Sequence, residues 1–332
     1  MTIWDMAEAG RARAVGQASD RLAIVIAGPT ASGKSALALE LARRHGGTVI
    51  NADAMQCYAD LRVLTARPGE ADEAAAPHRL YGVRAADEPA NAAWWRMAAL
   101  AELKAAKLPI LCGGTGMYFS ALFKGIAELP EIGEAARREA RGFLADMGPA
   151  KLHEKLAAVD PETAAKLKPG DSQRVARAWE VFAGTGQGLA WWQSRPAAPL
   201  TGWRTKFLLL DPPREDLRVA IEARFEKMLA AGAVEEVRRL AAKNLDPALP
   251  VMRAHGVPEV LAYLRGEIGL DEAARRAILA TYQYTKRQNT WFRHQKLVGD
   301  ADMHIIHPRI ASWTQDLEYL PDHFDNFIKL SG

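Results

Sequence analysis

The segment Gly28-Pro29-Thr30-Ala31-Ser32-Gly33-Lys34-Ser35 constrains this chain more than any other. Its spacing, Gly-x4-Gly-Lys-Ser, makes a phosphate site only where a strand leads into it and a helix leads away. Both neighbours have that character. Leu22–Ala27 is a short β-branched run suited to a buried strand, and Ala36–Ala42 is built from strong helix formers with apolar residues at helical spacing. The glycines let successive backbone N–H groups face one anion. The helix N-terminus adds about half a positive charge. Lys34 adds a full charge, and the Ser35 hydroxyl is a candidate Mg²⁺ ligand. All eight residues are therefore candidates for binding a polyphosphate.

Alternation of strand and helix continues to about residue 123. Thr48–Ala52 reads as a second strand, Ala93–Lys107 as a helix with Trp94, Leu100 and Leu103 facing the core, and Pro109–Cys112 as a third strand. This pattern predicts an α/β fold, a parallel P-loop sheet covered by helices. From about Glu128 to Gly188 the periodicity is helical alone. Leu152, Leu156, Val159, Ala164 and Leu167 form one apolar set, and Val175, Trp179 and Phe182 another. Thr205–Leu210 returns to a strand. Helices are predicted over 215–230, 234–243, 258–265 and 271–293, and a last strand over 303–307. The expected organisation is a mobile tail over 1–20, a first part of the core over 21–125, an inserted helical domain over 126–199, and completion of the core over 200–332.

Composition narrows the function classes. The net charge of +3 gives no global argument for nucleic-acid binding. The longest clean apolar run, Leu22–Ala27, falls far short of the roughly 20 residues that a membrane helix needs. Cys57 and Cys112 are the two cysteines, so a disulfide framework is excluded and a reducing cytoplasm is expected. With no signal-length apolar stretch at the start and no long heptad, the expectation is a cytoplasmic monomer.

A phosphate loop specifies polyphosphate, not nucleotide. The chain has no Asn-Lys-x-Asp segment of the kind that reads guanine. Asp211, after Phe207–Leu210, is either a Mg²⁺-orienting carboxylate of a kinase or a strand-end turn residue, since Pro212-Pro213 follows it. Asp53 ends the second strand, where ligands bind in doubly wound sheets. It is either a turn residue or a base acting on a nucleophile beside the diphosphate. An ATP-dependent small-molecule or nucleotide kinase, and an RNA-binding module on an inactive loop, share parts of this pattern.

Further segments, in order along 22–296, resemble the tRNA dimethylallyltransferase (tRNA isopentenyltransferase) family. They are the loop itself, Asn51-Ala-Asp53-Ala-Met-Gln56-Cys-Tyr58, Leu64-Thr-Ala-Arg67-Pro68 and Pro77-His-Arg-Leu80. Gly113-Gly-Thr115-Gly-Met-Tyr118, Gln173-Arg-Val-Ala-Arg177-Ala-Trp-Glu-Val181 and Lys286-Arg-Gln-Asn-Thr-Trp-Phe292 follow. The resemblance implies transfer of the dimethylallyl group of dimethylallyl diphosphate to N6 of the adenosine just 3′ of the tRNA anticodon. Asp53 matches the family's base, Thr115 a residue contacting the reacting adenosine, and Arg224 a diphosphate-contacting arginine. Lys34, with a Ser35-bound Mg²⁺, would stabilise the departing diphosphate.

The resemblance also assigns tRNA contacts to Asp53, Ala54, Met55, Gln56 and Thr115, to Arg137 and Gln173-Arg174-Val175-Ala176-Arg177 in the insertion, and to Lys286 and Arg287. Residues 275–296 carry Arg275, Arg276, Lys286, Arg287, Arg293 and Lys296 with no acidic residue. Tyr282, Tyr284, Trp291 and Phe292 are interleaved, a pattern that suits RNA phosphates and unstacked bases. The insertion is electrically balanced between 131 and 180, so its assignment rests on the resemblance alone. Ala54, Ala220, His255 to Pro258 and Tyr282 depart from the family pattern.

Overall fold

A computed structural model describes residues 21–310 and Phe327; the tail expected over 1–20 and nearly all of the segment after Ile310 lie outside the described residues. The strands are β1 (Leu22–Ala27), β2 (Thr48–Asn51), β3 (His78–Arg79), β4 (Pro109–Gly113), β5 (Arg204–Leu210) and β6 (Met303–Ile306). They form one sheet in the order β3-β2-β4-β1-β5-β6, with every pair parallel. Ala23 to Ala27 are all fully buried, as expected of a central strand covered on both faces. Because the strands run parallel, their carboxyl ends lie along one edge. Gly28, Asp53, Gly114 and Asp211 all follow strands on that edge.

Helices α1 (Lys34–His45), α2 (Glu70–Ala75), α3 (Ala92–Ala105) and α4 (Gly116–Phe123) follow the first four strands or loops. In α3 the buried stripe is Trp95, Ala99 and Leu103. The face expected from sequence, through Trp94 and Leu100, is displaced by one residue, and both of those side chains are half-buried. Tandem tryptophans leave the helical phase ambiguous. Tertiary contacts resolve it, because Trp95 stacks on Tyr118 at 4.5 Å and donates its indole N–H to the Asn51 carbonyl at 2.7 Å.

The chain divides into two compact units, one running to Ser120 and resuming at Thr201, the other Ala121–Leu200. The second unit begins inside α4, earlier than the boundary at 126 expected from sequence. It contains α5 (Glu134–Val159), α6 (Pro161–Ala165), α7 (Ser172–Thr185) and α8 (Leu189–Gln193). α5 is broken at Gly148, whose φ of 75° and ψ of 171° are not helical; Pro149 follows and cannot supply an N–H to the ladder. The two apolar sets read from sequence form one core here, with Leu152, Leu156, Ala164, Val175 and Trp179 packed together. Val159 is the exception, at 41% exposed, because it ends α5. Asp160 joins the pieces by accepting from Thr163 N at the start of α6 and from Leu189 N at the start of α8.

The first unit closes with α9 (Arg214–Ala230), α10 (Ala233–Ala241), α11 (Val257–Leu264) and α12 (Leu270–His294). The sequence reading did not include β3 or α2, whose two and six residues are too short to show a period.

Candidate active site

The phosphate loop is strained in the way its sequence requires. Gly28 and Gly33 have φ of 145° and 98°, and a side chain on either would strike backbone: the Leu210 carbonyl for Gly28, the Ile310 carbonyl for Gly33. Ala31 is also left-handed, at φ 66°. The segment after β6 braces this turn. Arg309 Nε donates to the Ala31 carbonyl at 2.9 Å, and Ile310 N donates to the Ser32 carbonyl at 3.2 Å. The Ser32 hydroxyl is fully buried yet has no hydrogen-bond partner among the described residues. Such an orphan is rare in native proteins and fits a site built for a ligand's acceptor. Lys34 Nζ donates to the Pro29 carbonyl at 2.5 Å. Burial holds its ammonium down to about 8; the Asp53 charge opposes that shift and the Arg224 charge adds to it. Lys34, Asp53 and Arg224 thus share one electrostatic environment.

Asp53 is fixed by its neighbours. Its Oδ1 accepts from Met55 N at 3.0 Å, and its own N–H donates to Asn51 Oδ1 at 2.8 Å. Asn51 is fully buried, and its amide nitrogen donates to the carbonyls of Asp53 and Leu80. The Thr115 hydroxyl accepts from Ala54 N at 2.9 Å, while Thr115 N donates to the Ala52 carbonyl at 3.1 Å. Thr115 therefore ties the end of β4 to the Asp53 turn. Asp53 keeps an oxygen with no hydrogen bond among the described residues, on the same strand-end edge as the loop over 28–35. That is the arrangement a base beside a leaving group needs.

Gln56 and Arg224 meet at one backbone atom. Gln56 Nε2 donates to the carbonyls of Thr65 and Ala66 at 2.9 and 3.0 Å, and Arg224 Nη2 donates to Thr65 at 3.2 Å. The preceding turn is held by Glu236, 4% exposed, whose carboxylate accepts from the N–H groups of Arg62, Val63 and Leu64 at 2.6 to 2.9 Å. Burial lowers the Arg224 guanidinium, and Asp53 opposes that shift.

The basic run on α12 is smaller than its sequence promised. Arg293 is paired with Asp211 by two nitrogens, at 2.9 to 3.1 Å. This pair also withdraws Asp211 from the metal-orienting role that the kinase alternative needed. Arg275 and Arg276 pair with Glu272, which lies just outside the acid-free window, and Lys296 approaches Asp300 at 3.9 Å. Lys286 and Arg287 remain exposed without an ion pair among the described residues. Lys286 lies 5.1 Å from the Tyr282 ring and Arg287 5.3 Å from the Tyr284 ring. Tyr284 meets the His255 ring at 5.0 Å. Burial pushes the Tyr284 hydroxyl up to about 12 and lowers His255, with the Asp53 charge also acting on both. Trp291 packs against Gly116, where a side chain would collide with its ring, and Phe292 is buried against Phe119.

In the helical unit Gln173, Arg174 and Arg177 are exposed on a helix surface, and Arg137 is half-buried. The three arginines each lie beside an acid of their own or the capping position, Glu134, Asp171 and Glu180, at 3.9, 3.5 and 2.9 Å. Val175 and Ala176, assigned to tRNA contact through the resemblance, are 0% and 9% exposed and belong to the core. A helix that presents residues 173, 174 and 177 to solvent turns 175 and 176 inward.

Three buried polar residues that hydrogen-bond to loops of the site were not singled out from sequence: Asn51, Glu236 and Gln288. Asn51 and Gln288 sit inside segments that carried the resemblance, but their partners are 29 and 258 residues away, beyond any local pattern. Both cysteines are free and buried, and burial pushes each thiol up to about 12, so neither is a nucleophile near neutral pH.

A parallel sheet whose central strand feeds a tight glycine loop, with a carboxylate held at the next strand end, is an arrangement suited to a group-transfer enzyme. The family profile described as IPP transferase matches residues 56–295, and one described as isopentenyl transferase matches 22–86. The chain belongs to this family. It is 63% identical to the tRNA dimethylallyltransferase of Acidiphilium cryptum (strain JF-5), over 93% of this chain and 95% of that protein. It is 55% identical to the protein of the same name from Granulibacter bethesdensis, over 93% and 98%. Among solved structures it resembles the tRNA isopentenylpyrophosphate transferase of Bacillus halodurans, with a TM-score of 0.65, 26% identity, and 94% and 98% of the two chains covered. It also resembles a eukaryotic dimethylallyltransferase acting on tRNA, with a TM-score of 0.75, 26% identity, and coverage of 94% and 80%.

Proposed function

We propose that this chain transfers a dimethylallyl group from dimethylallyl diphosphate to N6 of the adenosine immediately 3′ of a tRNA anticodon. The observation that carries the reading is that the loop over 28–35 and the Asp53 turn, tied to Thr115, both follow strands at the carboxyl edge of the sheet. The bond between the allylic carbon and the diphosphate oxygen breaks, and a bond from that carbon to N6 forms. The N6 lone pair is delocalised into the purine, so the amine is a poor nucleophile until its proton leaves. In this reading Asp53 accepts that proton, while the loop amides, Lys34 and Arg224 take the growing charge of the diphosphate. Stabilising that charge is commonly the largest single catalytic effect.

The donor set suits a metal that arrives with its substrate. No group of three or more potential His, Cys, Asp or Glu ligands occurs among the described residues, and Ser35, an exposed residue in the first turn of α1, offers one hydroxyl. Mg²⁺ takes few protein ligands when phosphates supply the rest. Bound there, it would neutralise part of the diphosphate charge.

The acceptor side is the edge formed by Asp53, Ala54, Met55, Gln56 and Thr115, with Tyr284 nearby and Lys286 and Arg287 outside it. Exposed Gln173, Arg174 and Arg177 and half-buried Arg137 on the helical unit suit further RNA phosphates. The target base must leave its stack, at a cost of a few kcal/mol. No helix among the described residues is long and apolar enough to cross a membrane, and two free, buried cysteines accord with a reducing compartment.

The test is mass spectrometry of an unmodified anticodon stem-loop with three adjacent adenosines, incubated with protein, Mg²⁺ and dimethylallyl diphosphate, beside an ATP-only reaction. The expected product gains one prenyl unit. No gain, with ATP consumed instead, would overturn the reading in favour of a kinase.

A further inference from the structure

Gln288 is 4% exposed and touches two loops that the sequence places far apart. Its Oε1 accepts from Thr30 N, in the phosphate loop, at 3.0 Å. Its Nε2 donates to the Gly114 carbonyl, one residue before Thr115, at 2.9 Å. The Thr30 amide is thereby committed to α12 rather than to an anion. The neighbouring glycine is shaped to this bridge, because a side chain on Gly114 would collide with Gln288 Nε2 and crowd the Gly28 carbonyl. One turn further along α12, Trp291 closes on Gly116 in the same way. The helix therefore lies on the Gly113-to-Gly116 turn through bare backbone, and its side-chain amide spans from that turn to the phosphate loop.

We infer that Gln288 is a positioning residue that sets the spacing between the diphosphate loop and the Thr115 turn, and hence between the leaving group and the attacking amine. The inference rests on the prenyl-transfer reading. Gln288 itself meets neither substrate. A displacement of about 1 Å between reacting groups is enough to slow a reaction by about a hundredfold without changing how tightly each partner binds. Gly114 and Gln288 form one unit, so enlarging the glycine must act through the same bridge as shortening the amide's reach.

Single-turnover rates under saturating enzyme test this, because inactive protein does not lower them. The substrates are the stem-loop and dimethylallyl diphosphate. Pyrophosphate and stem-loop affinities are measured separately by calorimetry. Gln288→Met should slow the single-turnover rate by about thirty- to a hundredfold, with each affinity within about threefold of wild type. Gln288→Glu keeps an acceptor for Thr30 N but sets an oxygen against the Gly114 carbonyl, and should fall between. Gly114→Ala should match Gln288→Met, and the double variant should be no slower than the slower single, the signature of one shared interaction. Hydrogen exchange adds a readout independent of turnover: the peptide spanning 28–35 should lose protection in both single variants. A Gln288→Met rate within threefold of wild type, additive losses in the double variant, or unchanged protection of that peptide would each overturn the inference. A wild-type protein that prenylates no stem-loop would instead overturn the functional reading on which it rests.

Discussion

The two units hold their functional residues in opposite ways. In the sheet unit, the residues around Asp53 are tied into the structure by hydrogen bonds: Asp53 to its own turn and, through its backbone and Asn51, to Leu80; Gln56 and Arg224 to the Thr65 carbonyl; and Thr115 to Ala54. In the helical unit, Arg174 and Arg177 are exposed and Arg137 half-buried, and among the described residues each pairs with an acid three residues away. Exposed pairs of that kind are worth about 0 to 1 kcal/mol and are readily exchanged for a phosphate. The first arrangement preorganises chemistry. The second leaves charges free to adapt to a partner. Chemistry needs the geometry fixed before the substrate arrives, whereas docking needs only charge of the right sign within reach.

Substitutions should separate these two regimes. The largest effect is expected at Asp53. Asp53→Asn should lower the single-turnover rate by about 10² to 10⁴ while stem-loop affinity stays within about threefold; a rate near wild type would remove Asp53 as the base. The next lies at Lys34. Its pKa of about 8 means the ligand-free ammonium loses its proton as pH rises through 8. Affinity for dimethylallyl diphosphate should therefore fall above pH 8 by up to about tenfold per pH unit, and calorimetry from pH 7 to 9.5 would detect it. Lys34→Arg should abolish this slope. For stability the sign is opposite. The folded pKa lies below the unfolded one, so the unfolded chain binds more protons between about 8 and 10.5, and Lys34 favours folding more as pH rises across that window.

Arg287 and Arg293 sharpen the comparison within a single helix. Arg287→Ala should reduce the salt slope of stem-loop binding by about 0.7 to 0.9. Arg293→Ala should leave the slope unchanged, because Arg293 is spent on Asp211. Equal slopes for the two variants would mean that the ion pair opens on RNA. The smallest effect is expected in the helical unit. Arg177→Ala should weaken stem-loop affinity by about twofold to fivefold, in line with about 0.5–1 kcal/mol for one exposed charge. The rate at saturation should not change; a fall in that rate would place the helical unit among the parts that align the reaction.

Much of this was written locally. The phosphate loop, its flanking strand and helix, the parallel alternation and the helical insertion follow from spacing and composition, because tight turns need glycine at fixed positions and periodicity reports burial. The order of motifs pointed to the family and so to Asp53, Thr115 and Arg224. Tertiary structure alone decided the rest. It selected Trp95 over Trp94 for the core and paired Arg293 with Asp211. It reduced an apparently basic helix to Lys286 and Arg287. It also brought Asn51, Glu236 and Gln288 to bonds with residues tens or hundreds of positions away. A sequence fixes what a side chain offers and which local conformations its backbone accepts. Which partner satisfies a buried polar group depends on where the whole chain comes to rest, and no local pattern encodes that.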